Sequence, residues 1–279
     1  MPVVSSAPWP VFRKERRWRG AVVSGAVLAL ALSLVQPAQA RDAAQRCDAA
    51  SLALLGAAAG AEPVAAACRD WPYDPAIRLV AAAWPDVGAD GSDDDPLLLV
   101  SAMLDPAGGR VLARHERPLE QDAAFALREG GIRLDTARYD LAPGVRAFGV
   151  VLTSSARGPS CPDRGVEREL TLLVRDGQAL RPVFATWLDT WEMVEGSPCS
   201  WSPQRSVSDH AQVTLGVERT SSHGFADLTL TASVERHASD EDGALQVETR
   251  RARRTLRYDG NAYATDPFDN LFFWSSNPW

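Results

Sequence analysis

Lysine is all but missing from this 279-residue chain, because Lys14 is the only one. Its absence downstream excludes a phosphate-loop lysine, a Schiff-base lysine and a Ser-x-x-Lys hydrolase there. No Cys-x-x-Cys pair occurs among the four cysteines, so the common zinc spacing is lacking. His-Glu-x-x-His and Gly-x-Ser-x-Gly are absent too, which removes the zincin and α/β-hydrolase signatures. No repeat of fixed period points to a propeller or solenoid. Positive charge is also short. Residues 1–40 hold five of the 29 basic side chains and one of the 36 acidic ones. That leaves 24 arginines against 35 acids, a net charge of −11 over residues 41–279. Nucleic-acid binding needs a positive surface that displaces counterions, so none is expected here.

What is present begins with an export signal. Arg13, Lys14, Arg16, Arg17 and Arg19 precede the apolar run Ala21–Val35, followed by Pro37 and Ala38-Gln39-Ala40. Basic, apolar and small-residue parts in that order define a secretory signal, with cleavage expected after Ala40. As a helix the apolar run would rise about 22 Å, short of the ~30 Å hydrocarbon core, so no stable membrane span is expected after cleavage. The product from Arg41 is placed in the periplasm or outside the cell.

Four cysteines, an even number, suit an oxidising compartment. Their spacing favours Cys47 with Cys68 and Cys161 with Cys199. The first bridge brackets the Ala-rich stretch Asp48–Ala67, read as a helical hairpin broken around Gly56 and Gly60-Ala61-Glu62-Pro63. The second fastens the open end of a strand, Asp176-Gly177 turn and strand. Further runs read as strands: Ile77–Trp84, Leu97–Leu104, Arg110–His115, Ile132–Tyr139, Val145–Thr153, Ala211–Arg219, Phe225–Arg236 and Gln246–Tyr258. Phe225–Arg236 alternates most cleanly, with Leu228, Leu230, Ala232 and Val234 on one face and polar side chains on the other. Hairpin-sized turns without intervening helices favour a mainly β fold, an antiparallel sandwich or barrel-like body with a short disulfide-tied helical N-terminal segment. The organisation reads as a signal peptide over 1–40, an Ala-rich helical segment over 41–71 and a β-rich domain over 72–279. Residues 154–164 are a candidate division between two halves. A membrane barrel is disfavoured, because the arginines of Gln246–Tyr258 fall on both faces.

Two features point to a binding surface. Arg250, Arg251, Arg253, Arg254 and Arg257 crowd one strand of an acidic protein; Arg251, Arg253 and Arg257 would share a face. Guanidinium forks match carboxylate and phosphate geometry. The plainer role is an edge strand kept from aggregating by charge and paired with neighbouring acids. Trp187, Trp191 and Trp201 flank Cys199 and suit a sugar face or a partner's pocket. Core packing is the competing role for Trp187, and Phe272, Phe273 and Trp274 are expected to dock onto the body. The acidic run Asp86–Asp95 fails as a calcium loop at Gly88 and Leu97. The sequence supplies no catalytic residue, metal site or cofactor. The function expected is that of an exported, non-enzymatic binding protein, an inhibitor or accessory acting on an envelope protein or on an anionic or glycan ligand. The alternative is an envelope glycan hydrolase whose carboxylate pair assembles only in the fold.

Overall fold

The computed structural model describes residues 45–55, 62–86, 95–199 and 204–275. Two meanders carry the chain. The first runs through β1 (Ala65–Trp71), β2 (Asp74–Pro85), β3 (Leu97–Asp105) and β4 (Arg110–Leu119), each antiparallel to the next. The second has seven strands: β5 (Ile132–Ala142), β6 (Val145–Leu152), β7 (Arg164–Asp176), β8 (Ala179–Glu195), β9 (Ser206–Ser222), β10 (Phe225–Ser239) and β11 (Leu245–Leu256). Each of these also pairs antiparallel with its successor. A single parallel bridge, Arg114 to Ala179, joins β4 to β8 and makes one eleven-stranded sheet. All ten strands read from the alternation of the sequence are present. Phe225–Arg236 buries Leu228, Leu230, Ala232 and Val234 completely.

The sheet folds over itself in layers because its middle strands are apolar on both faces. On β6, Phe148, Val150 and Leu152 pack with Leu79, Leu99 and Met103 of the first meander. Ala147 and Val151 point the other way, into a core shared with Leu188, Val213, Leu230 and Val234. A third cluster lies on the outer side of the first meander. There α1 (Ala49–Leu54), capped at its N-terminus by Asp48, sets Leu55 against Val80, Ala82 and Val100.

The Ala-rich stretch departs from the expected helical hairpin. Among its described residues Ala49–Leu54 are helical, whereas Ala65–Ala67 belong to β1. Cys47–Cys68 therefore ties the helix to a strand, and Cys161–Cys199 is also closed. Alanine's helix preference is under 1 kcal/mol per residue, and tertiary context overrides it. Ala65 and Ala67 enter the core between the meanders while Ala66 and Cys68 face α1, so small apolar side chains fill both sides of a thin strand.

Gln45 joins two sheet edges. Its carbonyl accepts from Cys68 N–H at 2.7 Å on β1, while its side-chain amide accepts from Leu134 N–H at 2.8 Å and donates to Leu134 O at 3.1 Å on β5. Gln45→Ala leaves the Leu134 backbone groups without these partners and is expected to destabilise the protein by about 1–2 kcal/mol. Urea unfolding measures that loss, with faster exchange of the Leu134 amide as its local signature.

Past β11 the chain returns across the body. Tyr263 N–H donates to Val183 O and Ala185 N–H to Ala264 O, so this segment lines β8 just before β9 joins it. Trp274 is fully buried, as its apolar tail requires. Among the described residues no helix is long and apolar enough to cross a membrane.

Candidate functional site

β7 and β8 outrun the first meander. Where that layer stops, Arg117 of β4 donates to Glu169 of β7 at 2.6 Å, an ion pair mostly withdrawn from solvent. Beyond it the same face of the sheet is open. Register brings Glu167, Asp189, Gln212, Ser233 and Arg251 into one row across β7 to β11. Two residues along, Gly165, Trp191, His210, Glu235 and Thr249 form the next row. Residues opposite one another in a ladder project on the same side, so both rows share one face. A cleft of about 230 Å³ opens on it, lined by Glu167, Asp189, Thr190, Trp191, His210, Ala211, Gln212, Ser233 and Glu235.

Three local features shape this cleft. Gly165 lets the Trp191 indole lie against β7, because a Cβ there would collide with Nε1. Trp191 stacks on His210 with centroids 6.0 Å apart, and His210 lies 4.9 Å from His237, so three rings run side by side. Burial, and secondly the His237 charge, hold the His210 imidazole below its ordinary value, so its neutral form is favoured. Its Nε2 lies 3.0 Å from Ser208 Oγ. The third feature is Arg168, which takes a left-handed backbone with φ of 57°. That conformation is uncommon for a residue with a Cβ and marks a position held by its surroundings. Its guanidinium forks onto Asp189, with Nη2 2.6 Å from Oδ1 and Nε on Oδ2. Asp189 is thus a locked carboxylate in the cleft, whereas Glu167 has no ion pair within 4 Å among the described residues.

The sequence-derived residues divide over this face. Trp191 lines the cleft, and Arg251 stands one strand beyond Ser233. Arg253 follows in the adjoining row, opposite Thr231 and Thr214. Arg257 is exposed just past the end of β11. Trp187 sits outside the cleft and packs edge-on against Phe268 at 5.7 Å. Trp201 lies outside the described residues, as do residues 87–94 of the acidic run. Pairing with neighbouring acids, the plainer role for the arginines, is not what the fold provides. Among the described residues Arg251, Arg253, Arg254 and Arg257 make no ion pair within 4 Å; Asp209, on the opposite face of the sheet from Arg251 and Arg253, is forked by Arg236 at 2.8 and 2.9 Å. Sequence reasoning missed Glu167, Arg168, Asp189, His210, Gln212 and Glu235. Only the strand register reveals that they share a face with Trp191.

The described residues contain no cluster of three or more His, Cys, Asp and Glu side chains placed to hold a metal. Comparison with protein-family models, curated proteins and solved structures gives no match.

Proposed function

We propose that this chain is an exported binding protein whose open face over β7–β11 recognises an anionic partner. The observation that carries the proposal is the set of exposed, ion-pair-free arginines, Arg251 and Arg253 on the same face as the Trp191–His210 cleft and Arg257 beside them. In a body of net charge −11, exposed arginines without ion pairs among the described residues are a directed positive patch. The cleft adds a ring surface and hydrogen-bonding groups at Gln212 and Ser233 that fix orientation.

Replacing Arg251, Arg253 and Arg257 together by Ser is expected to weaken capture of immobilised polyglutamate or polygalacturonate about tenfold, since each exposed pair is worth roughly 0.5 kcal/mol. The salt dependence of capture should fall with it. Unchanged capture by the folded triple variant excludes the patch.

Export forms part of the same reading and is supported by the basic, apolar and Ala38-Gln39-Ala40 order and by the two bridges. Expression in a bacterial host should yield periplasmic protein whose first residue is Arg41. Recovery with Ala21–Val35 retained in the membrane fraction contradicts it.

A hydrolytic reading has one observation in its favour: Glu167 and Glu235 line the same cleft. Glycosidases need two such carboxylates about 5–9.5 Å apart across the scissile bond. Release of reducing ends from an envelope glycan, abolished by Glu167→Gln or Glu235→Gln, would establish the enzyme in place of the binder.

A further inference from the structure

Three strands end the sheet: β1, β5 and β11. The first two run close together, and Gln45 is hydrogen-bonded to both. Among the described residues no such side chain ties β11 to another strand edge. Among the described residues its backbone pairs with β10 alone, over twelve residues from Leu245 to Leu256. A strand of that length with one free side presents a row of unused N–H and C=O groups.

The side chains of β11 say what that row accepts. Its outward face carries Leu245, Val247, Thr249, Arg251 and Arg253 in order, opposite Ser239, His237, Glu235, Ser233 and Thr231. Leu245 and Val247 are 62% and 52% exposed, unusual for apolar side chains in this protein. Four arginines and one glutamate give the strand a net charge of +3, against −11 for residues 41–279. Arg250 and Arg254 lie on the other face, where Arg250 donates to the Trp274 carbonyl at 2.8 Å.

From these we infer that β11 receives an extended acidic segment of a partner polypeptide as an added antiparallel strand. The inference rests on the anionic-partner reading and specifies its mode. Main-chain hydrogen bonds to the free edge supply affinity, and alternate side chains supply selectivity. In that register the partner meets Arg253 and Arg251 with acidic residues, then Val247 and Leu245 with apolar ones, every second position along its chain. The same arginines reject a second copy of this strand, since two β11 edges would set like charges against each other. An acidic glycan satisfies the guanidinium groups but cannot fill the backbone ladder.

The test uses a ten-residue peptide, capped at both ends, with glutamate at its second and fourth positions, valine at its eighth and tenth, and threonine elsewhere. Its binding to the mature protein is measured by calorimetry and by amide exchange. Expected are saturable binding, slowed exchange of alternate β11 amides, and at least a tenfold loss when one of the two alternate sets of peptide nitrogens is methylated. Arg251→Ser with Arg253→Ser should weaken the unmethylated peptide by a similar factor. Binding that survives methylation of each set in turn, or leaves β11 exchange unchanged, overturns strand addition while the anionic-partner reading stands. Capture of polygalacturonate but not of the peptide overturns it in favour of a glycan. Failure of every anionic probe removes both readings.

Discussion

Trp274→Ala is expected to destabilise the folded protein by about 3–5 kcal/mol, the range for deleting a fully buried large aromatic side chain. Trp274 has no solvent exposure and belongs to the core formed with Leu188, Val213, Leu230 and Val234. Its indole Nε1 donates to Thr190 Oγ1 at 3.0 Å, and its carbonyl accepts from Arg250 at 2.8 Å. One residue of the returning tail therefore links β8, which floors the cleft, to β11, which carries the arginines. Substitution opens a cavity and leaves the buried Thr190 hydroxyl without this donor, while the Trp274 carbonyl that accepts from Arg250 remains. Trp274→Phe keeps most of the volume and removes the N–H, for an expected loss of about 1 kcal/mol. Guanidinium unfolding followed by far-UV circular dichroism distinguishes the two. A Trp274→Ala midpoint equal to wild type would show that the tail adds nothing to the body. Faster exchange of the β11 amides, ahead of those in β2 and β3, is the local sign that the tail steadies the inner face of β11.

Where the sequence was legible, one repeating pattern made it so. Leu228, Leu230, Ala232 and Val234 alternate with polar residues because one face of β10 is dry and the other wet, and period two survives in the sequence. β1 escaped that test. Ala65, Ala67 and Cys68 are buried and Ala66 is partly buried, so both faces are apolar, nothing alternates and small side chains imitate a helix. The cleft was hidden for a different reason. Trp191, His210 and Glu235 come from three strands and meet only because of their register, which no single strand encodes. Arg168 was further from reach, since simple alternation gives no hint of the left-handed backbone from which it clamps Asp189. The arginines of β11 were visible as a cluster. That they make no ion pair was not, because the answer depends on which side chains the register of β9, β10 and β11 places on their face of the sheet.

That neighbouring pair supports the other large effect. The Asp209 side chain is only 3% exposed, and Arg236 grips it through Nε and Nη2 from the adjoining strand, directly behind His210 and Glu235. Removing one partner of such a pair leaves a charge with most of its solvent excluded, at a cost of about 3–5 kcal/mol. Asp209→Ala should fall near 3 kcal/mol, because the Arg236 side chain keeps 24% of its exposure and recovers some hydration. Glu192 provides an internal control of opposite sign. It stands opposite Asp209 in register, and burial, then the Asp209 charge, raise its carboxyl above the ordinary 4.5. A raised folded-state value means its contribution is complete below about pH 4.5 and is lost as the pH climbs through the folded value. At pH 7 Glu192 therefore opposes folding, and Glu192→Gln should stabilise the protein there while flattening the fall in stability above pH 4.5. Urea unfolding of the three proteins between pH 4 and pH 8 reads both effects. Loss of stability in Glu192→Gln at pH 7 would mean that attraction to Arg164, which faces Glu192 across β7 and β8, outweighs burial and the Asp209 charge.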